Sequence, residues 1–222
     1  MTTVEFSGFS WQVKQSTAKI GPGPNYFSAG NVSLVPGGVR LSIQRSAGRW
    51  SCAELVAEGS FGYGTYTWTV AADVTALDEN AVLGMFTWSD DPAHANRELD
   101  IEFASWGVAG RRDNGLFTVQ AGTAPHAHRF RPGRRWPSIH TLAWAPGLVR
   151  FASAGAAGVE SWVYAGPGVP VPGGGVAPRI NLWLFGGRAP GASQHVVLRG
   201  FAYTPGFAGD GTQADLCSQP PT

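Results

Sequence analysis

Charge is scarce in this chain. Asp, Glu, Lys and Arg make up 14% of its 222 residues, against about a quarter in an ordinary soluble domain, and the net charge is +1. Binding nucleic acid through its phosphates needs a basic stripe. The grouped cations Arg129, Arg131, Arg134 and Arg135 are interrupted by Pro132 and Gly133 and read as a solvated loop, so no nucleic-acid partner is expected. No apolar run approaches the ~18 residues of a membrane-crossing helix, and no membrane partner is expected either. Sustained helical periodicity is missing throughout. There are two cysteines, Cys52 and Cys217, and their spacing does not decide whether they pair. Neither sits in a Cys-x-x-Cys pair, and no serine or cysteine occupies a nucleophile elbow, which sets aside thiol redox chemistry and serine-type hydrolysis. Met1 to Ser10 lacks the basic-then-apolar pattern of a signal peptide.

Aromatic and turn-forming residues are what the chain has in quantity. Nine tryptophans stand beside 31 glycines and 16 prolines, the latter two about a fifth of the chain, short of a low-complexity composition and suited to many tight turns. Strands are expected over Phe6–Val13, Val32–Leu34, Val39–Ile43, Cys52–Val56, Phe61–Val70, Val82–Trp88, Glu98–Phe103, Leu116–Gln120, His140–Trp144, Leu148–Phe151, Val159–Tyr164, Ile180–Phe185 and Val196–Tyr203. The glycines at 62 and 64 mark a bend or a close backbone approach. The glycine-rich stretches 154–158 and 172–175 open no helix and read as surface connections rather than phosphate cradles. About a dozen short strands with regular turn signals predict an all-β, two-sheet antiparallel jelly-roll sandwich, one domain over residues 1–222.

One strand concentrates the acid. In Glu98-Leu99-Asp100-Ile101-Glu102-Phe103 the period-2 alternation sends Glu98, Asp100 and Glu102 to one face and Leu99, Ile101 and Phe103 to the other. Like charges on one strand face destabilise a sheet, so three together call for a use. Alternate positions lie roughly 6.5 Å apart, and long Glu side chains leaning inward over a concave sheet approach the ~5–5.5 Å carboxyl separation of a retaining glycosidase. Mutual repulsion then raises the proton affinity of at least one acid, leaving a proton donor beside an ionised nucleophile. An amphipathic strand with a merely solvated acidic face is the plainer alternative.

This strand resembles the active-site strand of the family 16 glycoside hydrolases, which include lichenases, laminarinases and xyloglucan-modifying enzymes. The likeness extends along the chain: Cys52-Ala53-Glu54, Phe61-Gly62-Tyr63-Gly64-Thr65-Tyr66, Phe86-Thr87-Trp88, His140-Thr141-Leu142-Ala143-Trp144 and Asn181-Leu182-Trp183 resemble successive family segments, in order. The resemblance implies a concanavalin A-like jelly roll whose concave sheet forms a glycan cleft, and double displacement with retained configuration. Glu98 would be the nucleophile, Glu102 the general acid/base, and Asp100 the residue that positions both and modulates their ionisation. Substrate contacts would fall to Glu54, Phe86, Trp183, Asn25, Tyr26 and Gln120.

The chain also departs from the pattern. Val56 stands where a basic residue often follows the matched Glu, and Asn96 and Arg97 replace the aromatic before the nucleophile. Gly200 replaces an aspartate that helps some members hold calcium, and Ser153-Ala154-Gly155 replaces an Asp-Gly turn, so no cofactor is expected and a structural calcium is not favoured. His126 and His128 would share one strand face, but no third ligand at metal spacing accompanies them. His94 and His195 carry no clear signal. The single-residue alternation of the acids is closer to lichenases and xyloglucan enzymes than to laminarinases. The expected activity is therefore endo-hydrolysis of a β-linked polysaccharide, mixed-linkage glucan first, by a monomer working outside the cell. A transglycosylase, a non-catalytic carbohydrate-binding jelly roll and a structural interaction module are the alternatives.

Overall fold

The computed structural model describes residues 2–95, 97–120, 126–133, 136–155 and 158–206. In chain order the strands are β1 (Thr2–Phe6), β2 (Phe9–Val13), β3 (Val32–Val35), β4 (Gly38–Ser46), β5 (Arg49–Ser51), β6 (Ala53–Ala57), β7 (Gly64–Val70) and β8 (Ala81–Trp88). Then come β9 (Leu99–Ala104), β10 (Gly115–Val119), β11 (His126–Phe130), β12 (Ser138–Ala145), β13 (Leu148–Gly155), β14 (Gly158–Tyr164), β15 (Ala177–Leu184) and β16 (Gln194–Pro205). Four short 3₁₀ turns are the only helical pieces among the described residues, and no helix there is long and apolar enough to cross a membrane.

Two antiparallel sheets pack face to face as a jelly roll. One runs β1-β2-β6-β15-β8-β9-β10-β11 and the other β14-β13-β12-β7-β16-β4-β3, with β5 paired to β4. Alternation along each strand supplies the core between them. In β7, for example, Tyr66, Trp68 and Val70 point inward and are fully buried while the threonines between them are only half-buried. Trp11, Trp144, Phe103, Phe117 and Phe151 join them, each worth ~2–3 kcal/mol of burial. Strand β15 is buried at all eight positions, so both of its faces are covered. One face lies on the core; the other lies under the site described below.

Some expectations need correction. Phe6–Val13 is not one strand but a hairpin, β1 and β2, reversed at Ser7-Gly8 with φ of 55° and 78°. Phe61 to Tyr63 precede β7, and the Phe61 N–H bonds to the Val176 carbonyl instead of the β7 ladder. The close approach expected of the glycines occurs at Gly64, where a Cβ would meet the Thr204 carbonyl. Arg129 belongs to strand β11, although its side chain is exposed as expected, and Arg131 follows the strand. The stretch 154–158 carries the ends of β13 and β14, with 156 and 157 outside the described residues. Asn96, Arg134, Arg135 and Cys217 also lie outside them; Cys52 is buried and unbridged among the described residues.

Candidate active site

Strand β9 divides its side chains as its sequence requires. Leu99, Ile101 and Phe103 are fully buried in the core, and Asp100 and Glu102 take the opposite face. Glu98 precedes the strand by one residue and continues its ladder, its carbonyl accepting from the Gln120 N–H at 2.9 Å. All three acids line one cavity of about 520 Å³ on the outer face of the β1-to-β11 sheet.

Register fixes the neighbours. One cross-strand row reads Glu54 on β6, Asn181 on β15, Gly84 on β8, Glu102 on β9 and Leu116 on β10. The adjacent row reads Val56, Arg179, Phe86, Asp100 and Thr118 on the same strands. Because facing residues in neighbouring strands share a side of the sheet, the two rows form one cavity floor. Gly84 matters there: a Cβ at that position would lie 2.5 Å from Asn181 Oδ1.

Charge on this floor is confined and paired. Glu54, 1% exposed, receives Lys14 Nζ at 2.9 Å on Oε2, Arg179 Nη1 at 3.5 Å on Oε1 and Asn181 Nδ2 at 3.5 Å on Oε2. Arg179 also donates through Nη2 to Asp90 Oδ2 at 2.6 Å, tying the floor to the loop that leads to Glu98. Burial raises Glu98 to about 7, restrained by the Gln120 amide, which donates to Oε1 at 2.7 Å, and by the Arg179 cation. Burial together with the Glu98 charge lifts Glu102 to about 8, Arg129 opposing weakly. Asp100 is held well above the ordinary carboxylate range by burial and by both glutamates. The trio therefore titrates as one unit and carries fewer than three charges near neutrality. Such an assembly holds an ionised carboxylate next to a protonated one.

Several cavity-lining polar atoms find no partner within the protein. Asn181 Oδ1, Thr118 Oγ1 and Arg179 Nε are buried and unpaired.

Among the residues singled out from sequence, Glu54, Phe86, Gln120 and Trp183 join the three acids around the cavity. Asn25 and Tyr26 are not brought to it. The Asn25 amide is spent on the Pro22 and Leu184 carbonyls at 2.9 and 2.8 Å, and the Tyr26 ring lies under the Arg49 guanidinium at 4.3 Å. His126 stacks on Tyr164, and His128 Nε2 lies 2.8 Å from Glu160 Oε1; no metal-ligating cluster of three forms among the described residues. Lys14, Trp88, Trp106, Thr118, Arg179 and Asn181 line the cavity without having been nominated as ligand contacts. For Arg179 and Asn181 a signal existed: polar residues alternating with Ile180, Leu182 and Leu184 point away from the core.

No protein-family profile matches the chain, and no curated protein matches it. Solved structures do. The β-glucanase of Bacillus licheniformis matches with a TM-score of 0.66 at 20% identity, over 87% of this chain and 91% of that one. A family 16 endo-glucanase from Bacteroides ovatus matches with a TM-score of 0.63 at 10% identity, over 87% and 94%. An immunostimulatory antigen of Mycobacterium tuberculosis, described as a pseudo β-1,3-glucanase, matches with a TM-score of 0.66 at 20% identity, over 89% and 91%. What these likenesses establish is the fold: the chain is built on the concanavalin A-like β-jelly-roll of the β-glucanases, family 16 glycoside hydrolases among them.

Proposed function

We propose that the protein is a retaining, endo-acting glycoside hydrolase of β-linked polysaccharides, with mixed-linkage β-glucan the first candidate substrate. The observation that carries the reading is the placement of Glu98 and Glu102, four residues apart with Asp100 between them, on one cavity face. In this reading the Glu98 carboxylate attacks the anomeric carbon while Glu102 gives its proton to the departing glycosidic oxygen. A glycosyl ester on Glu98 results. Glu102, now ionised, takes a proton from water as the water oxygen attacks the same carbon and the ester bond breaks. Resolution by a sugar hydroxyl in place of water gives transglycosylation from the same residues. Asp100, between the two, spaces them and shares their proton equilibrium.

Sugars present apolar faces and hydroxylated edges, and the cavity offers both kinds of partner. Phe86 and Trp183 supply ring surface, and Glu54, Gln120, Asn181 and Thr118 supply polar lining. Polymeric glycans are met outside the cell, so the enzyme is proposed to act there as a single-domain monomer.

A non-catalytic glycan-binding role is the second reading, favoured by the likeness to a protein described as a pseudo-glucanase. Retention of all three acids in a cavity that raises their proton affinity favours catalysis, because binding alone has no need of them. The test is a polysaccharide panel scored for new reducing ends, with Glu98→Gln as control. Activity lost in the variant supports the enzyme. Affinity for a glycan with no reducing ends from either protein supports the binding module, and equal activity in both rejects Glu98 as nucleophile.

A further inference from the structure

We infer that Trp106 is a substrate-binding residue of this cavity, its ring forming an aromatic wall beside Glu102 against which the apolar face of a glucosyl-type ring is held. The inference rests on the function proposed above and adds a residue to its site. Trp106 follows β9 by two residues in a tight turn, closed by the Val108 N–H to the Ser105 carbonyl at 3.0 Å and anchored by the Gly107 N–H to the Glu79 carbonyl at 2.7 Å. This turn holds Trp106 at φ 53°, in the left-handed region that bulky side chains avoid. Among the described residues the other non-glycine residues of positive φ are Ser7 and Ala47, both small and both in hairpin reversals.

Trp106 carries a second cost, since its indole N–H is buried with no acceptor. Trp68 in the core shares that cost, but from an ordinary strand position. Asn or Gly would suit this turn better than Trp, so local folding does not account for the choice. The cavity does. The half-buried ring lines it together with Asp100 and Glu102, and stands edge-on to Trp183 at 6.2 Å and to Phe185 at 5.3 Å. Backbone strain held at a cavity wall next to candidate catalytic groups is the pattern expected of a positioned functional side chain.

The test is calorimetric titration of a mixed-linkage β-gluco-tetrasaccharide into Glu98→Gln, Glu98→Gln/Trp106→Phe and Glu98→Gln/Trp106→Asn, with thermal unfolding of each. Phe keeps the ring and drops the orphaned N–H; its affinity should stay within about two-fold of the parent. Asn suits the turn and drops the ring; its affinity should fall about tenfold or more with Tm unchanged or raised. An Asn variant that binds as tightly as the parent overturns the inference, whatever its Tm. So does one whose affinity falls only in step with loss of folded protein. Binding by the parent without hydrolysis by the wild type would reject the enzyme and keep the Trp106 assignment, whereas no binding by the parent rejects both.

Discussion

Arg179 lies directly across the β15–β6 pair from Val56 and reaches both Glu54 and Asp90, at 3.5 and 2.6 Å. The cation that resemblance would place at position 56 is thus supplied to the cavity floor from the facing strand. A guanidinium held in that position favours the ionised form of Glu98.

Removing it should therefore move the acid limb of activity. Arg179→Met is expected to raise the proton affinity of Glu98 and to shift the acid limb of kcat/KM upward by about one pH unit. The double variant Arg179→Val/Val56→Arg, which returns the charge from the opposite strand, should recover part of that shift. The pH profiles of the three proteins on one soluble β-glucan check it; an unmoved acid limb in Arg179→Met would remove Arg179 from the ionisation of Glu98.

Gly84 is the hollow in the floor between Asn181 and Glu102. Gly84→Ala places a methyl group 2.5 Å from Asn181 Oδ1, so the Asn181 amide that donates to Glu54 must shift from its place in the floor. The expected result is a rise in KM of about tenfold with a stability loss of only ~1 kcal/mol, since the obstruction is the end of a side chain rather than backbone. Steady-state kinetics together with denaturant unfolding separates the two effects.

Stability should fall as pH rises through the neutral range. Glu98 and Glu102 ionise near 4.5 in the unfolded chain and at about 7 and 8 in the folded one. Between those limits the folded state holds the extra protons, so their contribution is complete below about 4.5 and is lost on the way to about 8. Glu102→Gln should accordingly raise Tm at pH 8 and leave it nearly unchanged at pH 4.5.

His140 acts in the other direction. It is buried between the Ser138 and Ser153 hydroxyls, at 2.9 and 3.0 Å, and desolvation lowers it from 6.5 to about 3. Its contribution is present above about 6.5 and is lost as pH falls toward 3. The two windows overlap, and thermal unfolding between pH 3 and pH 9 should show its maximum within the overlap, between about 4.5 and 6.5. A profile still climbing at pH 8 would contradict the raised proton affinity of Glu98 and Glu102.

The acid face was legible in the sequence because alternation is a local property: Leu99, Ile101 and Phe103 announce a core face, and the acids must take the other. Where a reading required pairing between distant segments, the sequence was mute. Arg179 and Val56 are far apart in the chain, and only the β15–β6 register reveals that one stands in the other's place. The β1–β2 hairpin escaped because its reversal needs two residues, Ser7 and Gly8, within a run that otherwise suits one strand. Asn25 and Tyr26 were placed by resemblance alone, and the chain around them uses the Asn25 amide to hold backbone instead. Trp106 left no pattern to read, since its φ belongs to the fold.

The most direct test of the account is to trap the glycosyl intermediate. An activated 2-deoxy-2-fluoro derivative of a mixed-linkage β-gluco-oligosaccharide, incubated with the wild-type protein, should add one glycosyl mass, and peptide mapping should place it on Glu98. Hydrolysis of β-glucan without any adduct, or an adduct on another residue, would contradict the assignment of this acidic strand as a retaining catalytic centre.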